Sequence, residues 1–146
     1  MPTYNEKENI ERITREVLAT DERLNVLIVD DNSPDGTGEI ANRVAREFPS
    51  RLSVEHREGK QGLGTAYKHG FRVAIDRGAE CVFEMDADFS HNPAYIPEFL
   101  KAIEEHDVVI GSRYVPGGGT ENWGPLRKAI SRGGTDAMTP PVVIIP

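Results

Sequence analysis

Asp86 and Asp88 flank a single alanine directly after the apolar run Cys81–Met85. Extended backbone turns alternate side chains the same way, so the two carboxylates would face one side. Held together they repel unless a cation sits between them. Mg²⁺ or Mn²⁺ suits that arrangement, because such a hard ion takes one or two protein carboxylates and leaves positions for phosphate oxygens and water. His91 is a further candidate ligand, better matched to Mn²⁺. The plainer alternative is a solvated acidic turn.

Two more polar clusters invite the same question. In "DDNSPDGTG", Asp30 to Gly38, the residues are turn formers, and Asp35 or Thr37 can cap a helix that includes Ile40. Asp30 or Asp31, fixed at a strand end, can also accept hydrogen bonds from a nucleoside base or ribose, and the two roles are compatible. In "REGKQGLGTAYKHG", Arg57 to Gly70, backbone N–H groups and the charges of Arg57 and Lys60 could meet a phosphate where a helix begins near Leu63. The alternative is a loop that needs glycine dihedrals. Arg113, Arg127, Lys128 and Arg132 recur late in the chain, either to grip an anionic acceptor or as a solvated face. Trp123 nearby reads as a contact for a lipid or sugar, or as a simple hydrophobic anchor.

The elements that must position these groups follow a β-α-β pattern, in which short apolar runs alternate with amphipathic segments, as on a parallel sheet. Helices are expected near Lys7–Thr20, over Ile40–Phe48, over Ala66–Ile75 and, shorter, near Pro97–Glu105. Strands are expected at Val26–Val29, Leu52–Glu55, Cys81–Met85 and Val108–Ile110. In open parallel sheets ligands sit beyond the carboxyl ends of the strands, and three polar clusters follow strands here, "DDNSPDG" after Val29, "DADFSHN" after Met85 and "GSRYVPGGG" after Ile110. Past Gly111 the pattern thins into a loop, "PGGGTENWGP", and a brief basic helical segment around Leu126–Ser131.

Composition narrows the field. The 146 residues fit one domain with a real core, and the net charge of −7 argues against a nucleic-acid partner, whose phosphates demand a basic surface. The lone Cys81 excludes a disulfide within the chain and, lying in an apolar run, is expected to be buried and inert. No run approaches the roughly 20 apolar residues that span a bilayer. A soluble or peripheral protein of a reducing compartment is the expectation.

"PTYNEKENI", "VDDNSPDGTG", "GLGTAYKHGF", "MDADFSHNP", "GSRYVPGG" and "NWGPLRKAISRG", in that order, closely resemble the dolichol-phosphate and polyprenol-phosphate mannosyltransferases of glycosyltransferase family two. The resemblance covers about Pro2 to Gly133. It implies an α/β GT-A fold, a Rossmann-like, mostly parallel sheet flanked by helices. It also implies a metal-dependent, inverting transfer of mannose from GDP-mannose to a polyprenyl or dolichyl monophosphate at the cytoplasmic membrane face. Carried over by position, Pro2, Tyr4, Glu6 and Asp31 contact the nucleoside, and Lys60 lies near the diphosphate. Asp86 and Asp88 form the D-x-D metal pair, with Asp88, Arg113 and Arg127 taken as catalytic and Arg132 near the phosphates.

The same resemblance raises a question of order. Members begin with a hydrophobic strand running into "PTYNE", whereas here the β-branched run Val142–Ile145 stands at the other end. The expected organisation is therefore a nucleotide-sugar domain over 1–132, a linker over 133–141, and residues 142–146 returning as the first strand beside the Val26 and Cys81 strands. The linker reaches about 30 Å when extended, enough to do so within one molecule. Insertion into a second copy as a domain-swapped homodimer is the rival, and an exposed tail the third option. Downstream elements of the family are not recognisable, so a nucleotide-sugar-binding core without turnover is the alternative function. A UDP-glucose-dependent relative and a metal-dependent phosphohydrolase are the others.

Overall fold

The computed structural model describes residues 1–112 and the backbone of 143–145. It divides into two compact units, Met1–Pro93 and Ala94–Pro146.

In the first unit three strands, β1 (Pro2–Thr3), β2 (Val26–Asp30) and β3 (Leu52–His56), form a parallel sheet in the order β1-β2-β3. Thr3 is in register with Asp30, and Asp30 with His56, so the three strands end together. Helix α1 (Ile10–Thr20) links β1 to β2, and α2 (Thr37–Glu47) links β2 to β3. Helix α3 (Leu63–Asp76) follows β3.

Apolar spacing decides which face of each helix is buried. Ile10, Ile13, Val17 and Leu18 recur at helical intervals and are all buried, as are Ala41 and Val44 of α2. Ile10, Ile13 and Ile28 are wholly buried, each contributing about 1.5–3 kcal/mol of transfer free energy. Alternation along β2 then separates two layers. Asp30 lies against Gly38 of α2, while Val29 turns the other way and meets Gly70 of α3. Helices thus cover both faces of the sheet. Arg51 fixes the exit of α1, donating to the carbonyls of Leu18, Asp21 and Leu24 at 2.7–3.0 Å.

Helix α1 starts three residues later than its pattern suggests and α2 three earlier, while β2 and β3 each gain one residue. The strand expected at Cys81–Met85 does not form, and Cys81 is exposed rather than buried. The ladder edge offered by β1 is two residues long, and Pro2 has no N–H to give, which is too little to hold a five-residue partner. The segment nevertheless runs near the start of β1. Burial pulls the Met1 ammonium down to about 6, and the charges of Asp86 and Glu84 oppose that pull.

In the second unit, a 3₁₀ turn from Pro93 leads into α4 (Ile96–Ala102), which has Pro97 in its first turn. Strands β4 (Val109–Gly111) and β5 (Val143–Ile145) pair in parallel, with Val109 opposite Val143 and Gly111 opposite Ile145. The terminal run therefore does not supply a first strand beside β2. The β2 edge is met by Pro2–Thr3, and β5 finds in β4 an apolar edge of its own length. Val142 and the expected linker and basic helix lie outside the described residues. No helix among those described is long and apolar enough to cross a membrane.

Gly38 shows how tightly α2 meets the sheet. A Cβ there would stand 2.8 Å from the Asp30 carboxylate and 3.0 Å from the His56 ring. Alanine is normally the better helix former by about 1 kcal/mol, but a clash with a fixed buried group costs about 1–3 kcal/mol and decides the sign. Gly38→Ala is expected to lower the thermal midpoint, and Gly64→Ala, where nothing lies within 4 Å, to raise it. Calorimetry on the two variants checks the pair.

Candidate functional site

The site is assembled where the three parallel strands end. Asp30 is 2 % exposed and its carboxylate is fully engaged. It accepts the Thr3 hydroxyl at 3.1 Å, the Ser33 amide at 3.1 Å and the Ser33 hydroxyl at 2.6 Å, with His56 Nδ1 3.7 Å away. Asp31, one residue on, points to the opposite face. Its amide donates to the Thr3 carbonyl, and the Arg57 amide to the Asp30 carbonyl, so the ladder continues past the strand ends and fixes both side chains.

Asp31 and Arg57 form an ion pair, Nε to Oδ1 3.3 Å, with side chains only 7 % and 9 % exposed. The pair is incompletely satisfied. Asp31 Oδ1 and Arg57 Nη1 are buried without any hydrogen bond among the described residues, although Arg57 Nη2 donates to the Thr65 hydroxyl at 2.8 Å. Native structures rarely leave such atoms unmet, and one acceptor beside one donor is the complement of a ligand that offers both. Of the two aspartates the sequence left open, Asp30 serves the scaffold and Asp31 retains capacity. Arg57, expected near a phosphate, is committed to Asp31.

The first loop is sewn to the turn after β2. Asn5, at φ 62°, donates its amide to Ser33 Oγ at 3.1 Å, Glu6 to Thr37 Oγ1 at 2.8 Å, and Lys7 to Asp35 Oδ2 at 3.2 Å. Asp35 in turn receives the Thr37 amide and hydroxyl at 3.0 and 2.6 Å. Desolvation works to raise the Asp35 carboxyl, but these hydrogen bonds outweigh it and hold the group below its ordinary value. Tyr4 is left exposed, with Lys60 Nζ 4.3 Å from its ring centroid. Lys60 thus lies on Tyr4, and Asp31 is bonded to Thr3 next to it. Pro2 lies within β1, and the Glu6 carbonyl receives the Asn9 and Ile10 amides at the entry to α1, a structural duty.

The D-x-D segment keeps the alternation of extended backbone although it joins no sheet. Met85 and Ala87 are buried, Asp86 is half-buried and Asp88 exposed. The Tyr67 hydroxyl, presented by α3, donates to Asp86 Oδ1 at 2.8 Å. Burial and then the Asp86 carboxylate drive the Tyr67 hydroxyl well above its ordinary value, so it stays a donor. Asp88 accepts the Ser90 amide at 2.9 Å. There too partial burial raises the carboxyl, but the bonds from Ser90 prevail and lower it. His91 Nδ1 stands 3.2 Å from the Asp86 amide. An N–H can only donate, so that ring nitrogen is the acceptor in this contact.

Among the described residues no group of three or more His, Cys, Asp or Glu could hold a metal. Asp86 and Asp88 offer carboxylate oxygens, with the Tyr67 hydroxyl on Asp86 Oδ1 and the Ser90 amide on Asp88 Oδ1. That donor set fits Mg²⁺ or Mn²⁺ completed by phosphate and water rather than an all-protein cage. Arg113, Arg127 and Arg132 lie outside the described residues. Sequence reasoning missed Tyr67, whose position on α3 carries no signal until α3 and the acidic segment are seen side by side. It also missed the pairing of Arg57 with Asp31, which is separated by a whole helix and strand.

A model of glycosyl transferase family 2 matches residues 1–142. The polyprenol monophosphomannose synthase of Mycolicibacterium smegmatis is 46 % identical over 131 residues, 89 % of this chain and 49 % of that protein. An undecaprenyl-phosphate mannosyltransferase of Micrococcus luteus is 47 % identical over 135 residues, 92 % of this chain and 55 % of its own length. A dolichol-phosphate mannosyltransferase of Pyrococcus furiosus is 40 % identical over 136 residues, covering 91 % and 37 %. The chain thus spans about half, or less, of the curated relatives it matches.

Removing one member of the Asp31–Arg57 pair strands the other in a dry site. Arg57→Ala is expected to destabilise by about 3 kcal/mol, and adding Asp31→Asn to restore a large part, as read by urea unfolding. Asp35 gives a pH signature. Its folded value lies below the ordinary 3.8, so its stabilisation is present above about pH 4 and is lost as pH falls through the folded value. The stability gap between wild type and Asp35→Ala should shrink on acidification from pH 7 toward pH 3.

Proposed function

The chain belongs to glycosyl transferase family 2, and from that premise we propose that it transfers mannose from GDP-mannose to a polyprenyl monophosphate with inversion at the anomeric carbon. The names of its relatives supply the sugar and the lipid-phosphate acceptor. The observation that carries the reading is the buried Asp31–Arg57 pair, one acceptor and one donor still unmet, at the rim shared with Tyr4 and Lys60. A carboxylate beside a guanidinium suits a base edge that offers N–H next to C=O, as guanine and uracil do. Lys60 then lies where the diphosphate follows the nucleoside, with Pro2 and Glu6 framing the first loop.

The chemistry asks little of a general base, because the acceptor phosphate is already an anionic nucleophile. One of its oxygens forms the new bond to the anomeric carbon as the bond to the β-phosphate oxygen of GDP breaks, and a single displacement of this kind inverts the centre. The demand falls on holding two anions in line and on stabilising charge that grows on the departing GDP. Asp86 and Asp88 would hold Mg²⁺ or Mn²⁺, which supplies positive charge to the diphosphate. Tyr67 orients Asp86, and the Ser90 amide orients Asp88. Arg113, Arg127 and Arg132 are assigned to the acceptor phosphate by resemblance. A lipid-borne acceptor places the working protein at a membrane surface.

A second reading is a donor-binding core without turnover, which the unmet donor and acceptor of the Arg57–Asp31 pair fit equally well. Incubation with labelled GDP-mannose, Mn²⁺ and a short polyprenyl phosphate should yield extractable mannosyl lipid. EDTA should abolish it, and Asp86→Asn should reduce it by about 100-fold or more. Donor binding with no mannosyl lipid would establish the second reading, and release of free mannose would replace both with hydrolysis. Titration with UDP-glucose in parallel settles the base.

A further inference from the structure

Phe89 follows the D-x-D pair with φ 61°, a left-handed conformation that bulky residues avoid and that persists only where the surroundings impose it. This residue reverses the chain after Asp88. The reversal brings the Ser90 amide back to Asp88 Oδ1 and the His91 ring back to the Asp86 amide. The way both carboxylates are presented therefore depends on a strained turn. These two hydrogen bonds close the turn from within the segment, and one further contact reaches it from outside.

The contact comes from α1. The Arg12 guanidinium lies over the Phe89 ring, 4.7 Å from its centroid, within the range of a cation–π interaction. Glu16, one helical turn on, receives Arg12 Nε at 2.7 Å and steers the guanidinium. The Arg12 side chain is 73 % exposed, so it fills no core position, and among the described residues it engages the Glu16 carboxylate and the Phe89 ring. Helix α1 leaves the first loop where the Glu6 carbonyl receives the Asn9 and Ile10 amides, and that loop is held to the turn after β2 through the amides of Asn5, Glu6 and Lys7. One continuous chain of contacts thus joins the loop bearing Tyr4 to the loop bearing Asp86 and Asp88.

We propose that Arg12 is a positioning residue, whose guanidinium on the Phe89 face holds the left-handed turn that presents Asp86 and Asp88 to the donor. The role of the two carboxylates rests on the function proposed above, whereas the clamp itself does not. Two measurements separate them.

The first needs no ligand. In the full chain, Arg12→Ala should speed exchange of the Ser90 and Asp86 amides, read by magnetisation-transfer NMR, by about two- to five-fold, the population change such an interaction supports. The amides of Ile13 and Val29 should be unchanged, and Arg12→Lys, which keeps a cation, should restore most of the protection. Unchanged exchange at Ser90 and Asp86, or an equal rise at Ile13 and Val29, would overturn the clamp. The second measurement is GDP affinity in the presence of Mn²⁺. Arg12→Ala should weaken it by a similar factor, and should add nothing when Phe89 is already leucine. Additive losses would mean that Arg12 acts on the donor directly and would also overturn the proposal. Absence of GDP binding by the wild type would defeat the functional reading, while the exchange data still decide the clamp.

Discussion

A carboxylate buried to 2 % exposure is the constraint on which the first unit turns. An ionised Asp30 in that position is tolerable only if its oxygens are met by hydrogen-bond donors. Those donors come from separate stretches of chain, Thr3 on β1 and Ser33 in the turn before α2, with His56 on β3 close by. Satisfying one charge therefore fixes the ends of three parallel strands relative to one another. The close approach of α2 at Gly38 belongs to the same requirement, since a side chain there would occupy the space of the carboxylate.

Because Asp30 takes on this duty, its neighbour is free of it. Successive residues of a strand face opposite ways, so Asp31 is delivered to the α3 side of the sheet, where Arg57 and Thr65 lie. Two adjacent identical residues thus do different work, one tying strands and the other offering an unmet acceptor beside an unmet donor. The division extends along the rim. Asp35 and Thr37 bind the first loop into place by accepting its backbone amides on their side-chain oxygens, and Tyr4 and Lys60 stand outward from it. Rigid support and chemical reach are kept on separate side chains.

The sequence disclosed the helices and the β2 and β3 strands because their apolar periodicity is strong, and β2 buries Val26, Ile28 and Val29 as a central strand should. Of the polar clusters, Asp30–Gly38 and Arg57–Gly70 do follow strands that end together, whereas the acidic pair follows a segment that joins no strand. The sequence misjudged the apolar runs that lack a partner. Cys81–Met85 and Val143–Ile145 both read as strands, but hydrophobicity names a preference and not a neighbour. The first found too short an edge and the second paired with β4 rather than β2. Long-range pairings were equally hidden, as with Tyr67 and Asp86, or Arg57 and Asp31, because single-chain spacing says nothing about which distant groups will meet.

Among the described residues three other than glycine adopt positive φ, namely Asn5 after β1, Asn32 after β2 and Phe89 after the acidic pair. Each stands where a connection leaves the rim, so the outline of the cleft is drawn by main-chain handedness. The side chains that line it are then substitutable without redrawing the walls. In such a frame a replacement at an outward-facing position such as Tyr4 alters what the rim presents, while the path of the main chain stays as it was.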